Sequence, residues 1–570
     1  MDQKKTGKKL HVPKSKLGKI LFNLAAALVV GFVYFYISLP ALNFQSSEFY
    51  MFIGLLCVVY IISAVITSGF HMEETKSTST APGADLGEKA KGYFKFIKSQ
   101  CLPIGILLGL LILVGIVGSV ISMPMLRSGA YRQLLDVQPG DFTADVQELS
   151  FNEIPLLDEA SAQRLGTTQM GSIPDMVSQF EVSPFYTQIN YQGSPVRVAP
   201  LEYADMIKWF TNRSGGLPAY VAVDMISQEV EVVRLADGQG MHYSPSEPLN
   251  RNVMRHLRFS FPTYMFYEPS FEIDEEGNPW WICPRMVKTI GLFGGNDVKG
   301  AVLMNAVTGE STYYEEVPQW VDHVYPDQLI MEQYNYYGTL VHGFINSVFG
   351  QRDVKVVTPG DSYIAMNDDV YVYSGVTSVS SDQSNLGFLL CNQRTKETKF
   401  YTAPGATEAL AMVSAQGMVQ DLGYTATWPL LLNISKQPTY FLALKDDNQL
   451  VKKYAMINVG QYNIVGIGDT VAGAEQDYLR LLADKGITIP EERLETNVSG
   501  TIAEIRSAVM DGNTFFFLRL EGEDMFYSIS ARENQVAVIL NVGDRVTIDH
   551  APVVTGTPAS ILQGYTVTLK

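Results

Sequence analysis

Histidine is the side chain best suited to proton transfer near neutral pH, and this chain has few histidines. After residue 126 they are His242, His256, His323, His342 and His550. No two of them are four residues apart, so the sequence does not predict the His pair of a helical zinc site. Asp322 precedes His323 and could orient it as a general base. Because adjacent residues of a helix or strand point in different directions, a capping or surface role for the pair is the favoured interpretation.

Other signatures of catalysis or cofactor binding are absent from the sequence. It contains no G-x-S-x-G elbow, no H-E-x-x-H helix, no G-x-x-x-x-G-K-[ST] phosphate loop and no cysteine pair at zinc spacing. Cys57 and Cys101 lie within or beside apolar runs, and Cys283 and Cys391 could form one disulfide or remain buried thiols. The sequence therefore predicts no catalytic residues, no cofactor site and no metal ligands, and an enzyme is the less favoured class.

Acidic side chains dominate the chain after residue 125. The first 125 residues have twelve Lys and six Asp or Glu, a net charge of +6. Since the whole chain carries −17, residues 126–570 carry −23. A surface of this sign repels nucleic acid and anionic lipid, and we expect no nucleic-acid partner. Carboxylates cluster in predicted turns at residues 274–276, 368–369 and 446–447. They could hold calcium weakly, but solvated turns are the favoured interpretation.

The elements that must position these side chains begin with three apolar runs. Residues 20–42, 50–70 and 101–126 contain no charged side chain and are long enough to cross a hydrocarbon core about 30 Å thick. Each run predicts a membrane-spanning helix. The first run is longer than the apolar core of a signal peptide and no small-residue cleavage site follows it, so we expect it to be retained.

Lysine positions predict how the three helices thread the membrane. Seven lysines lie in the first 19 residues and five at residues 71–100, between the second and third runs, whereas residues 43–48 have none. The sequence therefore predicts a multi-pass cell-membrane protein with a cytoplasmic N-terminus, a cytoplasmic loop at 71–100 and an extracytoplasmic ectodomain. The basic and aromatic stretch 89–98 suits the headgroups of the inner leaflet.

Two small-residue pairs in the third run could let another helix approach closely. They are Gly105 with Gly109 and Gly115 with Ser119. Packing among the three helices of one chain is the favoured interpretation, and homodimerisation is the alternative. No run contains Asp, Glu, Lys, Arg or His, the side chains that mark proton relays and ion pathways, so a transporter is not favoured.

Beyond residue 126 one order of signals recurs: an alternating strand, a polar turn, a second strand and a helical pattern. The hairpins lie at 301–315, 387–402 and 440–457, and the helical patterns begin at Pro326, 412 and 471. Further hairpin patterns lie at 218–235 and 271–284. A lone hairpin is marginally stable in water, so helices or neighbouring hairpins must cover the apolar faces. We expect an α+β ectodomain of repeated β-hairpin and helix units.

The segment 303–310, Leu-Met-Asn-Ala-Val-Thr-Gly-Glu, resembles the hairpin of PepSY domains, small extracytoplasmic α+β modules with a strand, Asp-Ala-x-Thr-Gly-Glu and another strand. Asn305 stands where that family has Asp. The whole chain resembles an uncharacterised group of bacterial membrane proteins with a lysine-rich N-terminus, three transmembrane spans and a PepSY-like ectodomain. The resemblance implies a PepSY-like fold and a link to peptidase regulation or envelope sensing.

The C-terminal block differs from the rest of the ectodomain. Its five predicted strands are at 500–505, 514–520, 525–530, 536–540 and 545–549. Strands of this spacing predict a small all-β barrel, and the turn at 543–546 resembles those of OB-folds. The aromatic residues 515–517 could stack bases, but no basic groove accompanies them, so core packing is favoured.

Together these patterns predict six regions. They are a cytoplasmic basic tail (1–19), three transmembrane helices (20–126), a membrane-proximal α+β region (127–215), a PepSY-like domain (216–350), a second α+β domain (351–490) and an OB-like barrel (497–570). The leading hypothesis is a membrane-anchored extracytoplasmic binding, scaffolding or sensory protein of the bacterial envelope. Its partners would be the lipid bilayer and either an envelope protein or a second copy bound through the transmembrane helices. The alternatives are an envelope peptidase or hydrolase with an unrecognised site, and an accessory subunit of a transport or secretion complex.

Overall fold

The computed structural model describes residues 15–78, 86–148, 154–155, 157–236, 238–379, 384–487, 496–510, 513–523, 525–532, 534–550 and 561–569. Within these residues the chain is a mixed α+β protein. Three apolar helices at the N-terminal end are followed by four β-sheets and a closed β-barrel.

The membrane segment consists of α1 (Lys16–Ser38), α2 (Ser47–Thr78) and α3 (Leu86–Ile121). All three helices are long and apolar enough to cross a membrane, which confirms the expectation from the uncharged runs. Few of their side chains are buried within the protein, and several of those are polar. Ser63 and Thr67 of α2 donate hydrogen bonds of 2.8 and 3.2 Å to the Asn23 side chain of α1. These bonds tie the first two helices together.

Two expectations about the membrane segment are wrong. The predicted loop at 71–100 is helical in its described parts, because α2 continues to Thr78 and α3 begins at Leu86. Residues 79–85, and residues 1–14 of the predicted basic tail, lie outside the described residues. A Cβ added at Gly105, Gly109 or Gly115 would have no described atom within 4 Å. These three glycines of α3 therefore do not pack against α1 or α2, and α2 contacts α3 through another face.

Four units make up most of the chain after α3, which we call the ectodomain from its predicted position, and each begins with a helix and continues as a sheet. A connecting segment precedes them, with α4 (Pro124–Arg132), β1 (Val137–Gly140) and α5 (Phe142–Asp145). The first unit contains α6 (Glu159–Gly171), α7 (Pro174–Val177), β2 (Phe180–Val182), β3 (Thr187–Tyr191), β4 (Ser194–Tyr203), α8 (Met206–Asn212), β5 (Ala219–Asp224) and β6 (Val230–Arg234). The second contains α9 (Val253–Ser260), β7 (Met265–Phe266), β8 (Ser270–Ile273), β9 (Pro279–Ile290), β10 (Gly294–Asn305) and β11 (Ser311–Tyr314).

The third and fourth units follow directly. The third contains α10 (Asp327–Thr339), α11 (Gly343–Ile345), a π-helical turn (Asn346–Gly350), β12 (Lys355–Val357), β13 (Ser362–Met366), β14 (Asp369–Ser378), β15 (Ser384–Asn392) and β16 (Thr398–Ala406). The fourth contains α12 (Glu408–Met418), a 3-10 turn (Gln420–Leu422), β17 (Thr425–Ala426), β18 (Leu430–Ile434), β19 (Gln437–Lys445), β20 (Val451–Asn458), β21 (Val465–Gly468) and α13 (Val471–Asp484).

All four sheets share one strand order. Two short strands pair with successive parts of one long strand, and the long strand is followed by two more antiparallel strands. The long strands are β4, β9, β14 and β19. The third sheet gains a sixth strand because β1 pairs in parallel with the start of β16. The ectodomain is therefore built from four copies of one α+β arrangement, in line with the recurring hairpin and helix pattern of the sequence.

One turn is repeated between the last two strands of the first three sheets. Its pattern is Asp/Asn-x-x-Ser/Thr-x-Glu, and its copies are residues 224–229, 305–310 and 392–397. In each copy the first side chain accepts the N–H groups two and three positions later. The hydroxyl accepts the N–H of the glutamate. The fifth residue has positive φ, namely Gln228, Gly309 or Lys396. The side chains that close the turn are thus equivalent in three units.

The sheets divide the ectodomain differently from the predicted regions. The first sheet crosses the boundary predicted at residues 215 and 216, because β4 pairs with β5 across the inserted helix α8. The predicted region 351–490 contains two sheets. The first two units share one hydrophobic core, which includes Val198, Val221, Trp281 and Val302. A second core joins the third and fourth sheets.

The C-terminal barrel contains β22 (Thr496–Met510), β23 (Asn513–Leu520), β24 (Phe526–Ser530), a 3-10 turn (Gln535–Ile539), β25 (Arg545–His550) and β26 (Ile561–Leu569). It closes in the order β22-β23-β24-β26-β25. The strand predicted at 536–540 is the 3-10 turn Gln535–Ile539, because a short apolar run does not by itself distinguish a strand from a helical turn. The fifth strand is β26, which the sequence pattern missed. Phe515 is buried and Phe516 packs on the barrel core.

The second unit is docked on the ends of the membrane helices. In the connection between α1 and α2, the Leu42 N–H donates to the Pro262 carbonyl (2.8 Å), and the Arg258 side chain donates to the Leu39 carbonyl (2.8 Å). At the end of α3, the Ser122 hydroxyl oxygen accepts the N–H groups of Leu292 and Phe293 (2.9 and 3.0 Å). The C-terminal ends of α1 and α3 therefore lie on the same side as the ectodomain, as three antiparallel crossings require.

Candidate functional site

A group of buried charged side chains lies where the first three units meet. Its centre is Glu272 on β8, whose side chain is fully buried. The Glu272 carboxylate accepts the N–H groups of Asp322 (2.9 Å) and His323 (3.0 Å) and the hydroxyl of Ser270 (3.1 Å). Glu272 thus fixes the segment between β11 and α10 through backbone hydrogen bonds.

Asp322 and His323 both reach across to β3 of the first unit. The Asp322 carboxylate accepts the Asn190 N–H (2.7 Å), and His323 Nε2 lies 2.6 Å from the carbonyl oxygen of Gln188. The two side chains therefore bind separate backbone groups, and Asp322 does not orient His323 as a general base. We name Gln188, Glu272, Asp322 and His323, with Arg197 beside them, the junction cluster.

Burial dominates the electrostatics of the junction cluster. It raises the pKa of Glu272 and raises the pKa of Asp322 well above its usual range, and the nearby Glu272 charge raises the pKa of Asp322 further. The Arg197 side chain donates to Gln188 Oε1 (3.2 Å), and burial lowers the pKa of this guanidinium. Because Glu272 and Asp322 are at most 1% exposed, no substrate can contact them in this structure. The cluster joins units and offers no accessible chemistry.

A pair of carboxyl groups extends the junction cluster toward the third sheet. Asp361, just before β13, shares a hydrogen bond with Asp327 at the start of α10, and the Tyr363 hydroxyl donates to Asp327 Oδ2 (3.3 Å). Burial, followed by the charge of Asp327, raises the pKa of Asp361 to about 6. The Tyr363 ring meets the His323 ring edge to face at 5.8 Å. The third unit is thereby connected to the second.

We predict that Asp361 makes the protein less stable as the pH rises. Its folded-state pKa of about 6 exceeds the ordinary value of 3.8, so the folded state retains a proton that the unfolded state has lost between these values. Stability should fall across this range by on the order of 1 kcal/mol, because Asp361 is only partly shielded from solvent. Asp361→Asn should remove this loss.

The measurement is the thermal unfolding temperature of the wild type and the variant at pH 4.5 and 7.5. The unfolding temperature of Asp361→Asn, relative to that of the wild type, should be higher at pH 7.5 than at pH 4.5. Asp421→Asn, at an exposed position in the turn after α12, is the matched control. An equal difference between variant and wild type at both pH values would show that Asp361 does not titrate in this range.

An open cleft of about 460 Å³ lies beside β16 of the third sheet. It is lined by residues 140–143, 402–404, 437–438 and 458–460. These come from the α5 turn, the edge of β16, the start of β19 and the end of β20. The cleft therefore lies between the connecting segment and the third and fourth units.

The edge of β16 is only partly covered at this cleft. Strand β1 ends at Gly140, opposite Tyr401. The next backbone contact on this side is the Ala406 N–H, which donates to the Val459 carbonyl (2.8 Å). Residues 402–404 between these points have no strand neighbour on the cleft side among the described residues, whereas Gly405 already packs on the Val459 backbone. Within this stretch Pro404 can offer only its carbonyl, because proline has no N–H. An unpaired strand edge can accept an extended polypeptide as an additional strand.

One ionised side chain lies at the mouth of the cleft. Asp141 caps α5 by accepting hydrogen bonds from the Thr143 hydroxyl and from the N–H groups of Thr143 and Ala144. The bond from the Thr143 hydroxyl is the largest of the contributions that lower the pKa of Asp141. The remaining lining is small, uncharged or apolar, including Pro404, Pro438 and Gly460. The cleft can therefore hold backbone and attract a positive group.

The other residues considered for chemistry have structural partners. Cys283 and Cys391 are free, fully buried thiols, and burial raises the pKa of both, that of Cys391 to about 12. Asp274 accepts turn N–H groups and the Trp280 indole, while Asp369 pairs with Arg394. No group of three or more His, Cys, Asp or Glu within the described residues could hold a metal ion.

The remaining histidines are spread over separate elements. His242 lies 3.1 Å from an Arg251 nitrogen, His256 packs on Tyr243, and His342 contacts Asp353 at 2.9 Å. His550 is buried in the barrel beside Tyr527.

Comparison with known proteins adds no family assignment. No protein-family model matches this chain, and no curated protein matches it either. The function must therefore be argued from the geometry of the membrane segment, the junction cluster and the cleft.

Proposed function

We propose that this protein is a membrane-anchored binding protein of the bacterial cell envelope that holds an extended polypeptide in the cleft beside β16. The observation that carries the proposal is the uncovered edge at residues 402–404, which opens into the cleft. Backbone groups at such an edge recognise any extended chain, whereas the small side chains of the lining leave room for it. The ligand would continue the sheet where β1 stops.

The charge of the ectodomain favours a basic ligand. Residues 126–570 carry a net charge of −23, and the Asp141 carboxylate lies at the cleft mouth. Such a field speeds the approach of cationic segments and disfavours nucleic acid. Lysines before the first span and between the second and third support an extracytoplasmic cleft, so the polypeptide would come from an envelope protein.

We also propose a family resemblance for two parts of the fold. The turn at 305–310 and its two equivalents support PepSY-like units. The barrel order β22-β23-β24-β26-β25, with β24 and β26 parallel, supports an OB-like barrel. The uncovered small residues of α3 are compatible with a second copy in the membrane.

The test uses the full-length protein in lipid nanodiscs and a fluorescent decapeptide of alternating Val and Lys. The control peptide has the same sequence with N-methyl groups on consecutive central residues, which keep its charge and block strand pairing along both edges. Anisotropy should show that the control binds about tenfold more weakly, because the backbone hydrogen bonds are lost. Gly460→Tyr should weaken binding of the parent peptide to a similar degree, because the tyrosine side chain fills the cleft.

Gly171→Tyr provides a matched variant away from the cleft. Gly171 ends α6, and a Cβ there has no described atom within 4 Å. This variant should bind the parent peptide as the wild type does. Equal binding of the two peptides, or unchanged binding by Gly460→Tyr, would refute strand addition at this cleft.

A further inference from the structure

An uncharged helical segment of the third unit exposes large apolar side chains beside the membrane helices. The segment comprises α11 and the π-helical turn, residues 343–350, with the sequence Gly-Phe-Ile-Asn-Ser-Val-Phe-Gly. Ile345, Val348 and Phe349 are 74%, 49% and 84% exposed. Three such side chains within eight residues are more than the scattered apolar exposure of an ordinary soluble surface.

Packing places this segment next to the end of α3. Helix α4 begins three residues after α3 ends, and the Tyr131 hydroxyl of α4 donates to the Ser122 carbonyl (2.6 Å). The Tyr131 ring contacts the Tyr336 ring at 4.7 Å, and Phe344 packs on the small core formed by Tyr131, Ile290 and Leu340. Phe344 thus points into the protein, while its neighbours point outward.

The adjoining helix α4 exposes apolar side chains as well. Met125 and Leu126 are 62% and 58% exposed, and they follow directly on the membrane-spanning part of α3. The apolar surface of the third span therefore continues onto α4 and has residues 343–350 beside it. Arg352, just beyond the segment, is 82% exposed along its side chain and can reach lipid headgroups.

We propose that residues 343–350, with Met125 and Leu126 of α4, insert into the lipid leaflet on the ectodomain side and form a fourth, interfacial membrane contact. The exposed Arg127 of α4 would extend to the headgroups. The bilayer is the occupant because this surface is continuous with a membrane span and carries no charge between Gly343 and Gly350. The contact fixes the ectodomain against the membrane at a point outside the three spans. It does not depend on the cleft or its ligand.

The experiment places an environment-sensitive NBD fluorophore on Phe349→Cys in the full-length protein. The protein is reconstituted in phosphatidylcholine and phosphatidylglycerol vesicles with or without lipids that carry a nitroxide on acyl carbon 5. Ile539→Cys, at an exposed apolar position of the barrel turn, is the matched control, and the unsubstituted protein sets the labelling background. Fluorescence from position 349 should be quenched several-fold more than fluorescence from position 539.

Equal quenching at both positions would overturn the proposal. Efficient crosslinking of two copies through position 349, without quenching by the nitroxide lipids, would identify a second copy as the occupant and would overturn it as well. Phe349→Ser should leave binding of the decapeptide unchanged, so this result is separable from the test of the cleft.

Discussion

Glu272→Ala should lower the free energy of unfolding by about 4 kcal/mol, because it leaves two buried backbone N–H groups without an acceptor. These are the N–H groups of Asp322 and His323, which the Glu272 carboxylate accepts at 2.9 and 3.0 Å. Water cannot replace the carboxylate easily, since Glu272 is fully buried. The segment that carries Asp322 and His323 should then loosen its hold on β3. The first and second units should lose their fixed relation to the third.

Two further variants test this prediction. Glu272→Gln keeps one acceptor oxygen but turns an NH₂ group toward the second N–H, so it should cause roughly half the loss. Glu276→Ala removes an exposed carboxylate from the turn after β8 and should change stability by less than about 0.5 kcal/mol. Guanidinium unfolding of the full-length protein in detergent, followed by tryptophan fluorescence, gives all three values. A loss below about 1 kcal/mol for Glu272→Ala would mean that the junction cluster is not a structural centre.

The parts of this fold that sequence analysis predicted are determined by neighbouring residues. Uncharged runs identified the three spans, and the helical pattern predicted to begin at residue 471 is α13 (Val471–Asp484). The turn at 305–310 was recognised because its side chains bond to their own backbone. The hairpins predicted at 218–235 and 387–402 contain the turns at 224–229 and 392–397, and all three turns share Asp/Asn-x-x-Ser/Thr-x-Glu.

The candidate sites depend instead on contacts between distant residues. Glu272 and Asp322 are 50 residues apart in the chain, and Asp322 and Asn190 are 132 apart. Nothing in the local pattern around Glu272 indicates that its carboxylate serves a segment in the next unit. The cleft likewise combines four stretches between residues 140 and 460. The edge of β16 is uncovered there because β1 ends at Gly140. Only the pairing of β1 with β16 shows where β1 ends.

Gly466→Ala should destabilise the fourth unit by about 3–4 kcal/mol, although it adds a single methyl group. Gly466 lies in β21 directly under α13, and a Cβ there would overlap the Tyr478 nitrogen and lie 2.5 Å from the Tyr478 Cα. Backbone atoms cannot rotate away as a side-chain end can. Tyr478 is fully buried, and its hydroxyl contacts Thr439 (2.8 Å) and accepts from Asn458 (3.0 Å), so moving α13 also disturbs these bonds.

Gly417→Ala is the matched control for this close approach. Gly417 lies in α12, where an added Cβ has no described atom within 4 Å, and alanine favours a helix over glycine by about 1 kcal/mol. The control should therefore be neutral or stabilising, whereas Gly466→Ala should lower the unfolding temperature and expose α13 to protease at a lower temperature. If both variants unfolded at the wild-type temperature, β21 and α13 would not lie as close together as the structure places them. The covering of the fourth sheet by α13, the helix that follows it, would then not contribute to stability as its close packing on β21 requires.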